Sequence, residues 1–127
     1  MQETFSLTNT TKGKLPRLPF AQMKEAVLGK DYILSVAIVD EATIQRLNKT
    51  YRQKDYPTDI LSFPLSDTEG EMFLNLEQSR LEAPKFDREF DNFLGFLFIH
   101  GLVHLKGFDH GGKMENEEQK YRVQFGI

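Results

Sequence analysis

The chain of 127 residues has three histidines, His100, His104 and His110, and all three fall inside the eleven-residue run from His100 to His110. Residues four apart project from one face of a helix, so His100 and His104 can present two imidazoles to a single ion. Gly107 lets the helix end in a left-handed turn, and the chain can then bring His110 back to the same point. Neutral imidazole is a common zinc ligand, and three protein ligands leave a fourth position for water, the pattern of a catalytic metal site. Zinc held in this way lowers the pKa of its water from about 15.7 to about 7 and supplies hydroxide at neutral pH. The spacing therefore predicts one zinc ion per chain.

A structural zinc would require a fourth protein ligand. The chain has no cysteine, so a carboxylate such as Asp109 would have to serve. In the helical zinc motif of metalloproteases a glutamate follows the first histidine and acts as general base. Gly101 stands there instead, so the peptidase mechanism lacks its base at the usual place.

The elements that must position these groups can be read from periodicity. Glu3 to Leu7 alternates as a short strand, and Phe20, Met23, Val27 and Leu28 recur at helical spacing up to Gly29, a C-cap. Tyr32 to Val39 reads as a buried strand, and Asp40 as the N-cap of a helix carrying Ile44, Leu47 and Tyr51. Two strands, Ile60 to Leu65 and Met72 to Leu76, follow, joined by a polar loop from Ser66 to Glu71. Gln78 to Lys85, with Pro84, reads as an irregular connector. A long helix runs from about Phe86 to Lys106, apolar nearly all round in its second half, which predicts burial at the centre of the fold. Its phenylalanines read as core, not as a base-stacking platform. A charged amphipathic helix from about Lys113 to Phe125 ends the pattern. Together these predict an α+β single domain over residues 1–127, a four-stranded sheet packed with helices and a metal site at the C-terminal end of the central buried helix.

Composition is that of an ordinary soluble protein, with 39% hydrophobic and 28% charged residues. No run approaches the ~18 apolar residues of a membrane span, and the N-terminus lacks a positive region followed by an apolar core. With no cysteine, these features predict a cytoplasmic protein without membrane partners. A net charge of −3 argues against bulk attraction to nucleic acid, yet Arg46, Lys49, Arg52 and Lys54 cluster within nine residues. Such a run is also what a solvated helix face looks like.

The histidine block (His100-Gly101, His104-Leu105, Gly107, Asp109-His110) resembles the signature of the YbeY family of bacterial rRNA maturation factors. A second block, Leu47-Asn48, Tyr51-Arg52, Asp55, Pro57-Thr58-Asp59 and Leu61-Ser62-Phe63-Pro64, is similar to that family's other signature. Both blocks with the strand between them cover roughly half of the chain. The resemblance departs at Glu69-Gly70-Glu71-Met72, where the family usually has Leu-Gly-Asp-Ile, and from Gln78 to Asp87. It implies a mixed sheet with a cleft ending at the metal. It also implies a zinc-dependent endoribonuclease specific for single strands, acting on precursor rRNA at the 16S 3′ end in ribosome biogenesis. Its partners would be the small ribosomal subunit and its assembly factors.

Phosphodiester cleavage builds negative charge on the phosphorus oxygens, so a fixed cation should face the metal. Arg52 fits, since a guanidinium grips phosphate oxygens as a fork and stays charged. Its alternative is a salt bridge to Asp55 or Asp59. Asp109 could accept an imidazole N–H, Asp59 could brace its loop, and Ser62 could donate to a phosphate. Lys106 and Lys113 flank the histidines and could touch an RNA backbone. Two readings stay beside the nuclease: a metal-dependent hydrolase of a peptide, amide or small phosphoester, and a non-catalytic ribosome-assembly module with a structural metal.

Overall fold

A computed structural model describes residues 4–108 and 111–127. Asp109 and His110, both expected at the metal site, lie outside the described residues. The elements are β1 (Phe5–Asn9), α1 (Phe20–Leu28), β2 (Ile33–Ile38), α2 (Glu41–Arg52), β3 (Ile60–Ser66), β4 (Glu69–Leu74), α3 (Leu76–Glu82), a 3₁₀ turn (Ala83–Phe86), α4 (Phe90–Leu105) and α5 (Gly112–Phe125). The strands form one sheet in the order β1-β2-β4-β3. β1, β2 and β4 run parallel, while β3 pairs antiparallel with β4. This is the α+β architecture with a mixed four-stranded sheet that the sequence predicts.

Side-chain alternation decides which face each helix takes. Leu34, Val36 and Ile38 of β2 and Met72 and Leu74 of β4 point to one side, where they pack with Phe98, Ile99 and Leu102 of α4. Ala37 of β2, Leu61 and Phe63 of β3 and Phe73 of β4 point to the other, under Ile44 and Leu47 of α2. Thus α1, α4 and α5 share one layer and α2 covers part of the opposite one. β3 lies at the sheet edge, where Pro64 is tolerated and a bulge falls between Pro64 and Ser66.

α4 is the buried axis of the molecule. Phe93, Leu94, Phe98, Ile99, Leu102 and Val103 have no exposed surface. Removing one of them, as in Phe98→Ala, costs about 3–5 kcal/mol, because the cavity left behind adds to the lost transfer energy. Gly101 lets this helix approach the sheet closely: a Cβ there would stand 2.6 Å from Met72 Cε, 2.8 Å from Ile60 Cδ1 and 2.9 Å from Ser62 Oγ. A side chain at the position that bears the general base in a metalloprotease would therefore have to displace Met72, Ile60 and Ser62.

β1 runs over Phe5–Asn9 where Glu3 to Leu7 was expected, and three larger differences follow. The loop expected from Ser66 to Glu71 contracts to a tight turn at Asp67-Thr68, because Glu69 and Glu71 belong to β4 as its non-core positions beside buried Gly70 and Met72. Leu76 does not end that strand; it opens α3, where an irregular connector was expected. Asn75 makes the difference. Its side chain accepts from Gln78 N at 2.8 Å as an N-cap and donates to Val39 O at 3.0 Å, tying the helix start to the end of β2. Pro84 sits in the 3₁₀ turn that follows, and α4 begins at Phe90 instead of Phe86. Elsewhere the caps agree: Asp40 accepts from Thr43 N at 2.8 Å, and Gly29 closes α1 with φ 89°.

Candidate active site

His100 and His104 lie one turn apart on α4 and both line a cleft of about 200 Å³ whose opposite wall is the end of α2 and the start of β3. Asn48, Arg52, Lys54, Tyr56, Thr58 and Ser62 complete the part of the lining that bears polar groups. The two sequence blocks, about fifty residues apart, thus meet across one space.

Arg52 is the last residue of α2, beyond which Gln53 turns the chain through a left-handed conformation at φ 58°. Its Nη2 donates to Ser62 O at 2.9 Å, and its guanidinium lies over the Phe63 ring at 5.3 Å. Neither Asp55 nor Asp59 pairs with it among the described residues; Asp55 instead takes Gln45 Nε2 at 3.1 Å and Lys49 Nζ at 3.8 Å. One N–H of the guanidinium is thus spent on the strand, while the residue itself lines the cleft. Behind it, Asn48 donates to Tyr56 O at 2.9 Å and holds the loop that leads into β3.

On the helix side, His100 Nδ1 lies 3.1 Å from Glu118 Oε1 of α5. A carboxylate oxygen accepts, so the proton of the neutral ring belongs on Nδ1 and the lone pair on Nε2. Fixing a ring in that tautomer is how proteins prepare imidazole for a cation. Glu118 is itself buried, with Arg122 Nη1 3.7 Å from the same oxygen, too far for a hydrogen bond yet close enough for charge. Arg122 Nη2 donates to Glu115 Oε1 at 2.7 Å. This donor set fits a divalent metal. Among the described residues no group of three or more His, Cys, Asp or Glu is arranged to hold a metal ion, and the third expected ligand, His110, lies outside them.

The other candidates are distributed around this centre. Ser62 is buried between β3 and α4 with its hydroxyl beside Gly101. Asp59 does not face Arg52; it lines an adjoining cavity, and burial together with the neighbouring Glu82 pushes its carboxyl above the ordinary value. Lys106 donates to Tyr121 OH at 2.9 Å and Glu117 Oε2 at 3.1 Å, so its charge is held against α5, and those bonds raise its pKa. Gly107 has the expected left-handed φ, 111°. Glu118 had no assigned role from sequence. Its signal was the spacing of Met114, Glu118, Tyr121 and Arg122, which share one buried face of α5.

A family model described as endoribonuclease YbeY matches residues 3–124. A protein named endoribonuclease YbeY from Carboxydothermus hydrogenoformans is 41% identical over 100 residues, which is 75% of this chain and 66% of that protein. The chain thus spans just under two thirds of that relative's length. A relative of the same name from Ureaplasma parvum is 38% identical over 135 aligned positions, covering 94% of this chain and 86% of the other. Among solved structures, a solution structure from Thermotoga maritima superposes with a TM-score of 0.66 at 28% identity, over 92% of this chain and 85% of that one. The matched span contains both walls of the cleft, and the chain belongs to the YbeY family.

Proposed function

We propose that this chain is a metal-dependent endoribonuclease that cuts unpaired RNA, working as a single domain on precursor rRNA in the cytoplasm. The substrate we infer is the region near the 16S 3′ end on the small ribosomal subunit. One observation carries the reading: a guanidinium and two imidazoles at helical spacing face each other across a single cleft.

His100, His104 and His110 would hold the metal, for which zinc suits an all-imidazole set. Bound there, a divalent cation supplies Lewis-acid polarisation of a phosphoryl oxygen and acidifies water. Glu118 holds the proton at Nδ1 of His100 and so keeps Nε2 the donor atom. Arg52, braced on Ser62 O, offers two parallel N–H groups to non-bridging phosphate oxygens and meets the charge that grows on them. Asn48 keeps the loop on that side from collapsing into the cleft. Gly101 stands where a glutamate base would be, packed against Met72, Ile60 and Ser62, which argues against peptide hydrolysis. An unpaired strand can bend into such a cleft, whereas an A-form duplex holds its backbone on a fixed path.

The test compares single-stranded RNA, double-stranded RNA and a generic peptide at matched ionic strength, using zinc-loaded protein. Cleavage confined to unpaired RNA, lost on chelation, is expected. Peptide hydrolysis that depends on His104, with no RNA cleaved, would overturn the assignment.

A further inference from the structure

A second cavity, about 320 Å³, adjoins the cleft, and His100 and Ile60 line both. Its lining differs in kind. Phe86 and Phe96 contribute rings, and Asp59, Glu115 and Glu118 contribute carboxylates. Phe86 is 50% exposed although it sits on an aromatic stack: its ring centroid is 5.1 Å from that of fully buried Phe93 and 5.5 Å from that of Phe96. Two rings thus brace Phe86 from within while half of its surface stays open. A rigid, open ring beside a phosphate-sized cleft is what a stacked base requires.

The charges select the occupant. Three carboxylates repel a phosphate, so the backbone of a bound strand stays with Arg52 and a neutral group enters the cavity. Glu118 and Glu115 are engaged by His100 and Arg122. Among the described residues Asp59 receives from side chains only a 3.5 Å contact from the Thr58 hydroxyl, beside its own and Ile60's backbone N–H. It is the acceptor left for a ligand. Adenine, cytosine and guanine carry exocyclic amino groups that a carboxylate can accept from, and uracil has none.

We propose that this cavity is a nucleobase subsite: the base next to the phosphate held at Arg52 stacks on Phe86 and donates its amino group to Asp59. The proposal rests on the reading of the chain as an RNA-cleaving enzyme. It gives the enzyme a modest preference for amino-bearing bases over uracil at one position, where the cleft alone has no means of reading sequence.

The experiment uses zinc-loaded full chain and short single-stranded RNA oligonucleotides, identical except for one nucleotide walked along the strand as adenosine, cytidine, uridine or an abasic unit. Affinity is read by fluorescence anisotropy and cleavage by product length. At one register the abasic unit should weaken binding by about tenfold relative to adenosine, with uridine between them. Phe86→Ala should erase that register dependence and Phe86→Tyr should keep it. Asp59→Ala, which removes the acceptor, should erase the adenosine-over-uridine difference while stacking persists. Thermal melting verifies folding, and the base scan on the unaltered chain needs no variant. Cleavage with no register dependence, or Phe86→Ala matching the parent, would overturn the subsite and leave the nuclease reading standing. Register-dependent binding without cleavage would support the subsite and sink the nuclease. Absence of any RNA binding would overturn both.

Discussion

The cleft and the adjoining cavity meet at His100 and Ile60 but sort their charges oppositely. Arg52 and Lys54 line the cleft with amide and hydroxyl neighbours; Asp59, Glu115 and Glu118 line the cavity with aromatic ones. A net charge of −3 says nothing of this arrangement. What matters is which element supplies each wall: the cationic end of α2 on one side, the acidic face of α5 on the other, with α4 between them. A strand of RNA needs both kinds of surface, cations for its phosphates and open rings for its bases.

The largest expected effect comes from the residue that belongs to the cleft alone. His104→Ala should drop metal content, measured by elemental analysis, well below one ion per chain and should abolish RNA cleavage. Stoichiometric metal in that variant would detach the histidines from metal binding. Next comes Glu118, which reaches His100 from the cavity side. Glu118→Gln keeps the shape but can present an N–H to Nδ1, so metal affinity should fall by about 10–100-fold in a competition titration with a chelator. Unchanged affinity would make the Glu118–Arg122 pair a packing feature.

Arg52→Lys preserves the charge and loses the fork. Cleavage should weaken by about tenfold while the melting temperature barely moves, since Arg52 is exposed and bonds to a single carbonyl. Unfolding in step with lost activity would assign Arg52 to the fold. The smallest effect concerns Asp59. Its folded-state pKa is raised, so it favours the folded chain fully below its unfolded value, and that contribution is lost as pH rises through the raised one. Asp59→Asn should therefore gain stability relative to the parent near neutral pH, and the gap should close as pH falls into the carboxylate range. A pH-independent gap in denaturant titrations would contradict the burial argument.

The sequence made the helix pair at His100 and His104 legible, since four-residue spacing on an apolar helix has one geometric outcome. Arg52 was legible as a cation near the end of a helix, but its bond to Ser62 O was not, because that contact depends on how α2 lies across β3. The same holds for Glu118: helical spacing placed it on the buried face of α5, yet only the packing of α5 against α4 aims it at His100. α3 was missed because Pro84 and scattered charges mask a short helix whose start is fixed by Asn75 through a contact to Val39, thirty-six residues away. Phe86 was expected to open the long helix. Ending the 3₁₀ turn before Asp87 reverses the chain at φ 53° leaves half of it open.

The central claim is that one metal held by His100, His104 and His110 drives RNA cleavage in the cleft facing Arg52. Zinc titrated into metal-free protein, with initial rates of single-stranded RNA cleavage followed throughout, tests it most directly. The rate should rise in proportion to added zinc, level off at one equivalent per chain, and return to baseline with chelator, while His104→Ala stays at baseline at every point. Full cleavage by metal-free protein, or an unchanged titration in His104→Ala, would contradict the account.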